Sequence, residues 1–226
     1  MGVLDASECP PTFCTSPDLI QGIIAGGEAA LTKSSESLED IAELAISNLK
    51  DKNFSRDDVL VGITASGRTP YVISALNYSK SLKALTISIT SVPYNDSSVM
   101  SDIDIRLLTG PEILAGSTRL KAGTATKMAL NIISTSVMIK LGKVYSNRMI
   151  DLSVTNNKLE ERALGILFDI ASINKEEGLK LLNKTDGSVK LSLLISLSGL
   201  DVIEAKLLLE KFHGNLREAL RNVSIN

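Results

Sequence analysis

The sequence predicts an α/β protein: a mostly parallel sheet flanked by helices, followed by a small all-α C-terminal region. Three observations carry this. The runs 58–64 and 84–90 are apolar and rich in β-branched residues, as strands buried on both faces are. Helical segments alternate with them, the pattern of parallel strands joined by helices. From Asn156 onward the strand signal stops, and 156–172, 175–183, 188–198, 201–211 and 214–222 all read as helices. The predicted domains are therefore 1–155 and 156–226.

The elements follow from local chemistry. In Glu8-Cys9-Pro10-Pro11 the two prolines predict an extended segment. Ser16-Pro17-Asp18 reads as a helix start, with Ser as N-cap, Pro in the first turn and an acid near the positive end of the dipole. That helix is short, because Gly22-Ile23-Ile24-Ala25-Gly26-Gly27 reads as a brief buried strand ending in a glycine turn. The segment 36–49 is amphipathic, with Leu38, Ile41, Ala42, Ala45, Ile46 and Leu49 on one face. After the strand 58–64, Pro70 starts a helix to about Ser81. The strand 84–90, a polar loop 93–101, a strand candidate 103–108 and a long helix from about Arg119 to Leu141 complete the first domain.

Composition narrows the function classes. The 226 residues suffice for one good core with a small satellite. Aromatics are 4% and Trp is absent, so the core is aliphatic. A net charge of −2, and tyrosines too scattered for a stacking platform (Tyr71, Tyr78, Tyr94, Tyr145), argue against nucleic acid. No apolar run is long enough to span a bilayer, and no export signal precedes the first motif, so the expectation is a cytoplasmic protein. Cys9 and Cys14 are close enough for a disulfide, but a reducing cytosol favours thiols. The single histidine, His213, precedes a glycine at a helix end and suits a surface or capping role; a zinc site is not expected.

Three stretches carry chemistry. Ala65-Ser66-Gly67-Arg68-Thr69-Pro70 follows a strand and opens a helix. Glycine lets the backbone approach an anion, small hydroxyls add donors, and the helix start offers N–H groups, which together hold a phosphate without a metal. An ordinary strand–turn–helix junction has the same outline. Glu8 is either a carboxylate fixed on a rigid segment or a solvated surface acid. In Glu36-Ser37-Leu38-Glu39-Asp40 the acids suit a helix start, and periodicity does not rank Glu36, Glu39 and Asp40. In the block Gly110-Pro111-Glu112-Ile113-Leu114-Ala115-Gly116-Ser117-Thr118-Arg119-Leu120-Lys121, Ser117 or Thr118 can cap the long helix. Arg119 and Lys121 oppose its dipole, so a bound anion or a salt bridge would explain them.

Taken together, these motifs resemble the N-acetylmuramic acid 6-phosphate etherases, sugar-phosphate lyases of the sugar isomerase (SIS) superfamily. The resemblance rests on Gly2 to Phe13, on Ala65 to Pro70 and on Gly110 to Thr124, and continues through 143–149 and 154–159. It implies an SIS-type sheet and a C-terminal three-helix module of the ubiquitin-associated type at 201–220. It implies Glu8 as general acid and Glu39 as general base, the latter aligned through Ala25-Gly26-Gly27-Glu28. Ser66, Gly67, Arg68, Thr69, Ser117, Thr118 and Lys121 become candidates for binding the sugar phosphate. The implied reaction splits the D-lactyl ether of N-acetylmuramic acid 6-phosphate without metal or cofactor, in a homodimer that engages neither nucleic acid nor membrane. A non-catalytic sugar-phosphate sensor like the glucokinase regulatory proteins, or a sugar-phosphate isomerase, are the alternatives on the same fold. The family also carries, ahead of the segment at Gly2, a helical region, a first strand and a Gly-Thr-Ser-Gly-Arg-type loop. The expectation is that this chain lacks them and leaves a sheet edge open.

Overall fold

The computed structural model describes residues 1–33, 36–152, 154 and 156–223, with the backbone alone at Glu36. It has two compact units: one comprises 1–6 and 21–131, the other 7–20 and 132–226. The second unit thus joins an early segment to the stretch from Ile132 onward.

The first unit holds a parallel sheet of β1 (Val59–Ile63), β2 (Leu85–Thr90) and β3 (Ile103–Arg106), in that order. Gly62 lies opposite Ser88, and Ile89 opposite Ile105. Between β1 and β2 runs α3 (Pro70–Ser81), whose first residue is the proline that the sequence marked. It packs with α2 (Ala42–Asp51) through Ala45, Leu49, Tyr71 and Ala75, joined by Leu60 of β1. Gly62 permits this closeness, since a Cβ there would stand 3.0 Å from both Leu76 and Val72 of α3. The Tyr71 hydroxyl donates to Asn48 Oδ1 at 2.8 Å, and burial raises its pKa.

One face of β2 is buried yet polar, while Ile89 on the other is equally buried. Thr86, Ser88 and Thr90 alternate along the polar face, each at most 1% exposed. Asp102 accepts from the Thr86 hydroxyl at 2.7 Å and from its N–H at 2.8 Å; Ser88 Oγ donates to Asp104 Oδ1 at 2.9 Å. Asp104 in turn pairs with Arg106. The Thr86 hydroxyl foremost, then its N–H, hold the Asp102 carboxyl below its ordinary pKa of 3.8. A depressed carboxyl stabilises the fold above its unfolded pKa, and that stabilisation is lost as pH falls through the folded value. Asp102→Asn is therefore expected to flatten the acid limb of a stability–pH curve below about pH 4. Parallel acid limbs for the two proteins would contradict this.

The helical unit is built on capped helices. Its elements are α5 (Asn157–Ala171), α6 (Lys175–Lys184), α7 (Val189–Ser198), α8 (Val202–Lys211) and α9 (Leu216–Val223), close to the predicted segments. Asn156, Asn174 and Ser188 each accept a hydrogen bond from a first-turn N–H, and Asp201 with Glu204 forms a full capping box. The core is aliphatic: Leu167, Val189, Leu193, Leu194 and Leu216 are essentially excluded from solvent. A hairpin of β4 (Val144–Tyr145) and β5 (Arg148–Met149) adjoins it. Asp151 bridges two lysines, taking Lys190 Nζ on Oδ1 at 2.6 Å and Lys143 Nζ on Oδ2 at 2.8 Å. Burial lowers the pKa of Lys190, and the Asp151 carboxylate opposes that shift.

Four expectations are corrected. Residues Gly2–Phe13 form a helix, α1, with Pro10 and Pro11 in its last turn. Each proline removes one intrahelical hydrogen bond, but Cys9 and Phe13 are buried against Met138, which requires their helical spacing on one face. The Ser16-Pro17-Asp18 stretch is a turn, not a helix: Ser16 Oγ accepts from Asp18 N–H and the Ser16 carbonyl from Leu19 N–H. The 22–27 segment is not a strand. Gly26 (φ 88°) and Gly27 (φ 61°) are consecutively left-handed, and Gly22 lies on α1, where a Cβ would stand 2.5 Å from Val3 Cα. The amphipathic stretch 36–49 divides into a 3₁₀ turn, Glu36–Asp40, and α2, because Ile41 is extended (φ −88°, ψ 98°).

Candidate functional site

The phosphate-loop candidate lies where β1 ends and α3 begins, at the carboxyl end of parallel strands. That is the usual ligand-binding edge of an open α/β sheet. Thr64, the residue after β1, is bonded into the sheet through its N–H to Ile89 O at 3.1 Å, and Ser91 N–H reaches Ala65 O at 3.0 Å. The Thr64 hydroxyl organises the loop, meeting Thr69 Oγ1 at 2.9 Å and Ser66 Oγ at 3.4 Å. Ser66 Oγ also accepts from Arg68 N–H at 3.3 Å. Thr69 is the N-cap of α3, yet its side chain makes no capping bond. Pro70 carries no N–H and the Val72 N–H donates to Thr69 O at 3.1 Å, so the Tyr71 N–H is what the first turn leaves to another acceptor.

A second loop, 96–98, braces the first. Arg68 Nε donates to Asp96 O at 2.9 Å, and Gly67 O accepts from Ser98 N–H at 2.8 Å. Gly67 is left-handed (φ 66°), and a Cβ there would fall 2.3 Å from Ser97 Oγ and 2.7 Å from Ser97 Cβ. Gly67→Ala is expected to destabilise the fold by about 1–3 kcal/mol and to weaken binding of inorganic phosphate. A thermal melt and a phosphate titration both matching wild type would contradict the geometry.

The block 110–122 follows β3 at the same edge of the sheet and leads into α4 (Lys121–Lys140). Its helix cap is neither Ser117 nor Thr118, which corrects that expectation. Glu112 spans the helix start, accepting from Lys121 N–H and Ala122 N–H at 2.9 Å each. The Ala122 N–H foremost, assisted by that of Lys121, holds this carboxyl below its usual range. Ser117 and Thr118 instead shape the turn: Ser117 N–H donates to Leu114 O and Thr118 O accepts from Gly123 N–H. The cation Lys121 thus has an anion beside it within the chain.

The two carboxylates of the expected acid–base pair are both exposed: Glu8 on α1, Glu39 on the 3₁₀ turn ahead of α2. Glu8 stands on a helix, not on the rigid extended segment that its prolines suggested. They fall in different compact units. The Glu36 side chain, the competitor to Glu39, lies outside the described residues, as does Thr155 in the stretch 154–159. Among the described residues no His, Cys, Asp or Glu cluster could hold a metal ion. Among the described residues no helix is long and apolar enough to cross a membrane. Cys9 is buried and Cys14 exposed, with no disulfide between them. His213 is exposed at the end of α8.

Sequence reasoning missed Thr64, Ser97, Ser98 and Glu112. Thr64 had a readable signal, a hydroxyl immediately before a loop of small and hydroxyl residues around Gly67. Thr90 Oγ1 and Ser91 Oγ, at the end of β2, are buried without a hydrogen-bond partner.

The chain is 75% identical to an N-acetylmuramic acid 6-phosphate etherase of Prochlorococcus marinus NATL1A, over 97% of this chain and 71% of that protein. The chain belongs to the N-acetylmuramic acid 6-phosphate etherase family. A second etherase, from strain NATL2A, is 77% identical over 88% of this chain and 64% of its own length. A third, from strain SARG, is 57% identical over 100% of this chain and 72% of its length. The chain thus spans about two thirds to three quarters of these etherases. Residues 1–80 also match the model of the glucokinase regulatory protein N-terminal SIS domain. The loop 65–70 and the start of α3 lie inside that match.

Proposed function

We propose that this chain carries the etherase chemistry of its family, cleaving the D-lactyl ether of N-acetylmuramic acid 6-phosphate to N-acetylglucosamine 6-phosphate and D-lactate in cell-wall sugar recycling. The observation that carries the proposal is 75% identity to an etherase over 97% of the chain. The loop geometry supports it: an uncapped start to α3 ringed by Ser66, Gly67, Arg68 and Thr69 suits the 6-phosphate.

In the proposed mechanism Glu39 takes the acidic proton at carbon 2 of the open-chain aldehyde. The electrons expel the lactyl oxygen from carbon 3 as Glu8 protonates it. Water then adds across the unsaturated aldehyde, its oxygen to carbon 3 and a proton to carbon 2. Two carboxylates suffice if one is protonated and the other ionised when substrate is bound. The reading calls for no metal or redox cofactor and assigns the protein to the cytoplasm as a homodimer. Met128, Ile132 and Ile139, each more than half exposed along α4, supply an apolar stripe that supports association.

The test is D-lactate release from N-acetylmuramic acid 6-phosphate by the protein, with the Prochlorococcus marinus NATL1A etherase as the control. Release by both is expected; none from this protein while the control releases lactate would overturn the assignment. The match of residues 1–80 to a glucokinase regulatory protein domain favours a second reading, a sensor. Tight binding of the substrate without turnover would support it. Conversion of glucosamine 6-phosphate to a ketose would instead indicate an isomerase.

A further inference from the structure

Two helices begin at the carboxyl ends of these parallel strands, and their starts are treated differently. The start of α3 receives no side-chain cap, because the Thr69 hydroxyl is turned to Thr64 instead. The start of α4 is closed by a carboxylate from its own chain, Glu112, nine residues ahead of Lys121. Glu112 reaches two successive N–H groups, one per oxygen, which is how a bound anion fills a helix start. The intervening chain is folded on itself: Ser117 N–H to Leu114 O at 3.0 Å, Leu120 N–H to Ser117 O at 3.2 Å, and Gly123 N–H to Thr118 O at 2.9 Å. Gly116 turns this loop with φ 82°.

We propose that Glu112 is a positioning residue: a built-in anion that holds the Gly110–Lys121 block shut on α4 and reserves the uncapped start of α3 for the substrate's phosphate. This rests on the reading of the protein as a sugar-phosphate enzyme. It gives Ser117 and Thr118 a defined place without making either the helix cap, and it removes α4's first turn from the list of phosphate sites. Lys121 is the charged side chain that acts on Glu112, and their attraction adds to the hold.

The experiment follows the amides of Lys121 and Ala122 by hydrogen exchange in the full chain, with formate and inorganic phosphate as probes. In the wild type both amides should be protected, and neither probe should alter them. In Glu112→Ala they should exchange about tenfold faster or more. Formate, a free carboxylate, should restore protection, a rescue that lost packing alone would not show. Inorganic phosphate should also protect them in the variant, adding a second phosphate site to the one at Ser66–Thr69. Glu112→Gln keeps one acceptor oxygen and should unprotect only one of the two amides, and it serves if the alanine variant does not fold. Equal exchange in wild type and both variants would overturn the proposal. Protection in the wild type that appears only on adding phosphate would do the same. If the wild type binds no inorganic phosphate, the sugar-phosphate reading fails, while the formate arm still judges Glu112.

Discussion

Glu39→Gln is expected to lower D-lactate release by roughly 10²–10⁴-fold and to abolish exchange of the carbon-2 proton with deuterated water. An amide cannot take that proton, so every later step is blocked. Glu8→Gln should also slow lactate release, but should leave the exchange intact, because the proton can still leave and return while the lactyl oxygen waits for an acid. This separation is the sharpest property of a two-carboxylate mechanism. Glu36→Gln and Asp40→Asn are the controls on the acidic stretch. Normal exchange in Glu39→Gln together with lost exchange in Glu36→Gln would move the base to Glu36.

The second large effect concerns stability. Asp151→Ala should destabilise the protein by about 3 kcal/mol, since it leaves Lys190 buried without its counter-charge. For a chain of this size that corresponds to roughly 6–12 °C in melting temperature. Lys190 has only 8% of its side chain exposed and sits in the first turn of α7, where the helix dipole disfavours a cation. Asp151 is the group that offsets both penalties. Replacing Lys190 by Met in the same protein should recover most of the loss, because the uncompensated charge is then gone. Lys143→Met should matter less, its side chain being 24% exposed. An unchanged melt in Asp151→Ala, or no recovery in the double variant, would show that the bridge contributes little.

The sequence was legible wherever a local signal and the tertiary demand agreed. Pro70 at a helix start, the helical runs from Asn156 onward, and the β-branched runs of β1 and β2 each specify an element within a few residues. Legibility failed where packing overrode a local rule. Pro10 and Pro11 argue for extension, but Cys9 and Phe13 reach Met138 only from a helix. Ile23 and Ile24 argue for a buried strand, but the left-handed Gly26 and Gly27 turn the chain at once, and both isoleucines remain 36% exposed. In the site, the loop 65–70 was legible because its glycine and hydroxyls cluster within Ser66–Thr69. Glu112 was not, since a carboxylate nine residues ahead of a helix follows no spacing rule. Its role comes from the loop that folds it back.

The central claim is that the ether is cut by elimination at carbon 3 followed by addition of water there. The most direct measurement runs the protein on N-acetylmuramic acid 6-phosphate in ¹⁸O-labelled water and analyses both products by mass spectrometry. The account predicts the label in the 3-hydroxyl of N-acetylglucosamine 6-phosphate, with D-lactate keeping its original ether oxygen. Label in the lactate instead would contradict it.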